Sequence, residues 1–244
     1  MTQRKSRNSC RSSYMKLKVL GSGSSGNCYI LENENEALII EAGVSMKEVK
    51  VALNFDIRKI VGVVISHCHG DHAKYINDYR NTGIPVFDAF RLCKLNKGRL
   101  GKVAMGYFLI NTFSLVHDVP CYGFLISHPE MGRLVYASDT EYITWRFKDI
   151  QHFLVEANYS KDLIPADIEE TKREHVFLGH MEIDTTCRFL AANYSAGTRN
   201  VVLLHLSSVN ADPEQFNIKA DQVVDCPVYV AGHGLEVDLS LYPF

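Results

Sequence analysis

The chain has 244 residues, 46% hydrophobic and 22% charged, with a formal net charge of −2. These are the proportions of an ordinary soluble globular protein, and the charge argues against a wholesale nucleic-acid coat while leaving room for a local basic groove. No apolar run approaches the roughly 18 residues of a membrane span, and no hydrophobic stretch near the N-terminus forms a secretory signal.

Residues 1–14 carry four basic residues and no acid, and read as a disordered basic tail that either touches nucleic acid or is merely solvated. A single domain is expected over 15–244, starting with a strand at KLKVL. CYILEN and ALIIEAG read as consecutive strands, and residues 45–54 as a helix capped by Ser45. IVGVVIS and IPVFDA follow as strands, then the long β-like runs GYFLINTFSLVHD and CYGFLIS on either side of Pro120. RLVYASD, DIQHFLVEAN, NVVLLHLS and CPVYVAG are further strands, with helices over Glu182–Asn193 and Pro213–Ala220. Strands dominate both halves, so the fold class is α/β: a four-layer αββα sandwich of two mixed sheets with helices outside. The seven cysteines are scattered and form no C-x-x-C pair, which fits reduced thiols in a cytoplasmic protein.

Residues 66–72 read SHCHGDH, directly after an apolar strand. Imidazole and carboxylate together suit zinc, manganese or iron. Four such groups on one loop exceed what a single tetrahedral site takes from one segment. The spacing invites two ions, His67 and His69 facing one and Asp71 and His72 the other, about 4 Å apart and holding a water for hydrolysis. Cys68 sits inside the motif and is not counted as a ligand.

Other polar residues stand at strand ends, where loops from a rigid sheet converge: His117–Asp118, Asp139, Glu156, His180 and His205. His117 is a candidate to complete the site of His67 and His69, and His205 that of Asp71 and His72. Asp139 is the candidate carboxylate between the ions.

With these residues in order, the sequence resembles the metallo-β-lactamase-fold hydrolases, whose signature is His-x-His-x-Asp-His followed by a lone His, an Asp and a last His. The resemblance runs from Met15 nearly to the end. It implies two divalent metal ions (zinc, manganese or iron), the first on His67, His69 and His117, the second on Asp71, His72 and His205, bridged by Asp139. GSGSSGNCYILE, HDVPCYGFLI, ASDT, LVEANYS, GHM and LLHLSSVN resemble the YycJ-like (WalJ) exonuclease subgroup, which implies 5′-to-3′ exonuclease activity on DNA in mismatch repair. Two positions depart from the pattern. Glu41 stands where this superfamily usually has Asp, and is placed either to support a metal-binding histidine or to face elsewhere. Asn158-Tyr159-Ser160 replaces the subgroup's Asn-His-Asp.

Catalysis is assigned to Asp71 and His180; the Gly-His segment resembles one that protonates the leaving oxygen in related phosphodiesterases. The GSGSSGN loop, with Ser22, Ser24, Ser25 and Asn27, forms either a cradle for phosphate or a tight turn. The stretch 91–102 holds five basic residues and no acid. Its Arg91 and Lys94, with Arg173 further on, are candidates to meet a phosphate backbone, the alternative being a solvated helix face. His233 lies beyond the ligand set. DNA is therefore the expected substrate, with no membrane partner, and with repair-protein partners and oligomeric state left open. The alternative is a small-molecule metallo-hydrolase: a cyclic-phosphate phosphodiesterase, lactonase or thioesterase.

Overall fold

A computed structural model of the protein describes residues 14–95, 102–165, 169 and 177–242. Residues 1–13 of the basic tail, 96–101 of the basic strip and Arg173 lie outside these, as does the side chain of Lys94.

Among the described residues thirteen strands follow one another: β1 (Lys16–Gly21), β2 (Cys28–Glu32), β3 (Ala37–Ile40), β4 (Ile60–Ile65), β5 (Val86–Asp88), β6 (Lys102–Met105), β7 (Phe108–Leu115), β8 (Cys121–His128), β9 (Gly132–Ala137), β10 (His152–Glu156), β11 (Asn200–Leu204), β12 (Val228–Val230) and β13 (Glu236–Asp238). The helices are α1 (Met46–Ala52), α2 (Gly70–Ala73), α3 (Ile76–Asn81), α4 (Ala89–Leu95), α5 (Ile183–Asn193) and α6 (Pro213–Asp221). One sheet has the order β13-β1-β2-β3-β4-β5 and the other β12-β11-β10-β9-β8-β7-β6. Both are mixed. β3, β4 and β5 run parallel in the first sheet, and β9, β10, β11 and β12 run parallel in the second.

The strand sequences explain this layering. β2, β3, β10 and β11 are buried along their whole length, as expected where both faces of a sheet are covered. Leu17, Tyr29, Leu38 and Val64 of the first sheet meet Phe124, Tyr136, Leu154 and Val202 of the second in a shared core. On the outer faces, α1 and α3 bring Val49 and Tyr79 onto Ile39 and Val63, while α5 and α6 bring Leu190 and Phe216 onto Phe153 and Val201. The result is the four-layer αββα sandwich.

Helix starts follow their caps. The Ser45 hydroxyl accepts from Glu48 N–H and donates to the Glu48 carboxylate at 2.9 Å, a reciprocal cap. Asp212 accepts from the N–H groups of Glu214 and Gln215 ahead of α6, with Pro213 opening the helix. The helix expected over 182–193 is α5, with Glu182 as its cap.

The structure also contains short elements absent from the sequence reading: α2, α3, α4, β6 and β13. Each spans seven residues or fewer, too few for a hydrophobic period to stand out. The run expected as one strand from Gly106 is a hairpin tip followed by β7. Gly106 has φ +56°, and a Cβ there would lie 1.8 Å from a Glu36 carboxylate oxygen.

Glu32 ends β2 at 6% exposure, between the ammonium groups of Lys18 on β1 and Lys59 before β4. Burial alone would raise its pKa, but the two lysines outweigh burial and hold it below the usual carboxylate range. A folded-state pKa below the unfolded one adds stability that is present above about pH 4.3 and lost as pH falls through the folded value. Glu32→Gln should therefore cost about 1–3 kcal/mol at neutral pH and flatten the acid side of a melting-temperature profile; an acid slope identical to wild type would refute the clamp.

Candidate metal centre

The site lies along one edge of the sandwich, where the parallel strands of both sheets end. Glu41 follows β3, Ser66–His72 follow β4, His117 follows β7, Asp139 follows β9, Glu156 closes β10 and His205 follows β11. Three of these turn sharply out of their strands: Glu41, Asp139 and His205 have φ of +66°, +55° and +54°. Non-glycine residues in this left-handed region cost about 1–3 kcal/mol each and concentrate at functional sites.

Backbone contacts dock the SHCHGDH loop onto its neighbours. Asn27 N–H donates to Asp71 O at 2.7 Å, Ala42 N–H to His72 O at 2.7 Å, and Gly43 N–H to Asn27 O at 3.0 Å. His69 precedes α2 in extended conformation, and its carbonyl accepts from His72 and Ala73 N–H. Asp71 and His72 therefore sit on the first turn of a helix, close in space to His69. A Cβ on Gly43 would fall 1.7 Å from the Asp71 carbonyl oxygen, so only glycine permits this approach.

The predicted ligands converge. His67, His69, His117 and Asp139 each offer one donor atom, all within 4.8 Å of one another. Asp71, His72 and Asp139 form a second such group, and Asp139, Glu156, His180 and His205 a third. Asp139 belongs to all three. Its carboxylate lies 3.7 Å from His67 Nε2, 3.2 Å from His72 Nε2 and 2.6 Å from His205 Nδ1. His205 Nε2 is 3.8 Å from Asp71, so His205 stands between Asp71 on one side and Glu156 with His180 on the other.

Neighbouring groups fix the rings. His117 Nδ1 lies 3.0 Å from the Gly179 carbonyl, which makes it the N–H donor and leaves Nε2 as the nitrogen with the lone pair. His67 Nδ1 lies 2.8 Å from Ser66 Oγ and 3.6 Å from Cys121 Sγ. Glu41 does turn toward the site: fully buried, it accepts from Ser66 N–H and approaches His72 Nδ1 to 3.5 Å. His180 Nδ1 bonds Glu156 at 2.7 Å.

The donor set suits a divalent cation. Glu41, Asp139 and Glu156 are at most 2% exposed, and among the described residues no lysine or arginine pairs with them. Burial and neighbouring His72 push His67 down to about 2, keeping it neutral as a ligand must be. Burial disfavours charge on His205 as well, yet Asp139 and Glu156 prevail and push it up to about 10. Asp139 itself is held well below the usual carboxylate range because His72 and His205 outweigh burial. His67 Nε2 and His205 Nδ1 are buried without an aligned hydrogen bond. Leaving such atoms unmatched is costly, and a cation among these carboxylates matches them.

The remaining predicted site residues divide. Asn27 is fully buried; its Oδ1 accepts from Gly23 N–H, while Nδ2 donates to Asp71 Oδ2 at 3.2 Å and lies 2.9 Å from His72 Nε2. Ser22 Oγ accepts from His205 N–H at 2.9 Å. These two therefore tie the GSGSSGN loop to the histidines, while Ser24 and Ser25 are exposed at its tip. Arg91, exposed on α4, lines a cavity of about 540 Å³ with His67 and Cys68. His233 bonds the Leu20 carbonyl and stands apart from the ligands. Sequence reasoning gave Glu156 no role beyond a polar strand end; its signal was a carboxylate closing a wholly apolar run.

A sequence profile of the metallo-beta-lactamase superfamily matches residues 21–85. The fold is similar to that of the metallo-beta-lactamase fold protein YhfI from Bacillus subtilis, with a TM-score of 0.69 at 20% identity over 93% of this chain and 99% of that one. Fold, loop and histidine–carboxylate cluster define the class: the chain has the metallo-β-lactamase fold and resembles that superfamily of hydrolases. The chain is 22% identical to exodeoxyribonuclease YycJ of Bacillus anthracis over 90% of this chain and 92% of the relative. It is 25% identical to exodeoxyribonuclease WalJ of Streptococcus pneumoniae over 93% of each.

Gly43→Ala should displace Asp71, lower bound metal and cost about 1–3 kcal/mol. Gly70→Ala, where an added Cβ meets nothing within 4 Å, should leave both unchanged. Equal metal content and melting temperature in the two variants would refute the Gly43 clamp.

Proposed function

We propose that the protein is a dinuclear metal-dependent phosphodiesterase that degrades DNA from 5′ ends in repair, within the cytoplasm. The observation that carries this reading is the central position of Asp139, within 3.7 Å of nitrogens from His67, His72 and His205. His67, His69 and His117 would hold one ion, Asp71, His72 and His205 the other, and Asp139 would lie between them. Two divalent ions so bound would supply an activated water, its pKa lowered to about 7, and would neutralise charge on the phosphoryl group.

The protein's own groups do the rest. Asp71 and Asp139 set the negative charge that balances the cations. Glu41 and Gly179 orient His72 and His117 from behind, which fixes where each ring presents its lone pair. Glu156 holds His180 by its Nδ1 beside His205, where ring centroids are 5.1 Å apart. From there His180 delivers a proton to the departing oxygen. DNA as substrate is supported by the exodeoxyribonuclease relatives and by Arg91 beside the metal loop.

Purified protein with manganese or zinc should cleave 5′-phosphorylated DNA and bis-p-nitrophenyl phosphate in a chelator-sensitive manner, and Asp71→Ala should abolish both. Turnover of a lactone with no DNA cleavage would overturn the nuclease reading in favour of a small-molecule hydrolase. Metal analysis should give two ions per chain, and fewer would contradict the dinuclear assignment. His180→Ala should lower kcat about 10²–10⁴-fold with little change in KM; an unchanged kcat removes His180 from proton transfer.

A further inference from the structure

The segment leaving Asp139 builds a second feature, a groove against α5. It is anchored at its start: Thr140 N–H donates to Glu156 Oε2 at 2.8 Å, Val116 N–H to Thr140 Oγ1 at 3.1 Å, and Glu141 N–H to Val116 O at 2.9 Å. It is anchored again further on, where Phe147 N–H donates to Asn193 Oδ1 at 2.6 Å and Trp145 Nε1–H to Ser114 O at 3.0 Å. Between these anchors Tyr142 and Trp145 stay 44% and 46% exposed. Trp145 is the protein's sole tryptophan, and its ring is propped by Phe113 at 6.4 Å.

Two arginines complete the groove. Arg146 reaches the Ala192 carbonyl at 3.3 Å, and Arg188 on α5 reaches Thr185 Oγ1 at 2.8 Å. Each guanidinium has five donors and only one is needed for such an anchor. The groove of about 250 Å³ is lined by Tyr142, Trp145, Arg146 and Arg188 with no Asp or Glu among its lining residues. Single exposed aromatics are ordinary on a protein surface. Two aromatics with two arginines and no acid, in a chain of net charge −2, combine faces for base stacking with cations for phosphates. Trp145 lies six residues from Asp139, so the groove is at most about 20 Å from the metal cluster.

We propose that this groove binds single-stranded DNA, with bases stacked on Tyr142 and Trp145 and phosphates on Arg146 and Arg188, and leads the strand to the metal centre. The proposal rests on the nuclease reading, and two separate readouts keep the two apart. Binding is read by Trp145 emission in the inactive Asp71→Ala protein titrated with 5′-phosphorylated oligothymidylate of about 20 nucleotides, a length that spans known single-strand site sizes; cleavage is read with wild type.

The oligonucleotide should quench Trp145. Adding Arg146→Ala and Arg188→Ala should weaken binding about tenfold and reduce the slope of log affinity against log salt by about 0.7 for each phosphate no longer neutralised. An unchanged emission maximum in the free variant shows that its fold is intact. Wild-type cleavage of DNA with Trp145 emission unaffected at saturation would overturn the groove and leave the nuclease intact. Quenching without cleavage would support the groove and overturn the nuclease reading.

Discussion

Buried negative charge governs this protein. Glu41, Asp139 and Glu156 lie almost fully out of solvent at the ends of three parallel strands, where an unpaired carboxylate is strongly disfavoured. Among the described residues the groups facing them that can carry positive charge are histidines. Imidazoles balance such charge either by taking protons or by sharing cations with the carboxylates. The second arrangement also uses the buried ring nitrogens that have no aligned hydrogen bond. The fold thus maintains an electrostatic demand that divalent ions are chemically suited to meet.

The sandwich makes that demand sustainable. Parallel strands place their carboxyl ends on one edge, so groups far apart in sequence arrive together without long loops. Left-handed conformations at Glu41, Asp139 and His205 aim these side chains into the cluster, and the covered sheets beneath hold the strained backbone in place. The GSGSSGN loop then closes over the cluster from the side. Tyr29 hydroxyl stands between Ser22 Oγ at 2.8 Å and Asn27 Oδ1 at 3.2 Å. Ser22 in turn holds the backbone of His205, and Asn27 the side chain of Asp71. A loop that reads as a phosphate cradle or a turn is thus partly a brace for the metal-facing residues.

Much of the site was legible in one dimension. SHCHGDH packs its chemistry into seven residues, and His117, Asp139 and His205 each stand at the end of a clear apolar strand. The long, fully buried strands were legible for the same reason, since a run such as IVGVVI has no exposed face to interrupt it. Glu156 was harder to assign because a lone carboxylate after a strand is also an ordinary turn residue; its meaning came from His180 and His205 meeting it. The direction of Glu41 was open because its extra methylene permits several orientations, and only the Ser66 amide and the His72 ring select one. The shortest helices carry too few residues for any periodic signal.

The sequence by itself determined the chemistry: which donors exist, that their types suit divalent metals, and that two alternating-to-apolar strand sets flank them. These are local properties, carried by residue type and by periods of a few positions. The tertiary structure decided their grouping. It made Asp139 common to three clusters, set His205 between Asp71 and Glu156, and turned Asn27 inward. It also laid Tyr142, Trp145, Arg146 and Arg188 around one groove. Such groupings depend on strand order and on which faces pack, and so on contacts between residues tens to hundreds of positions apart, which no local pattern encodes.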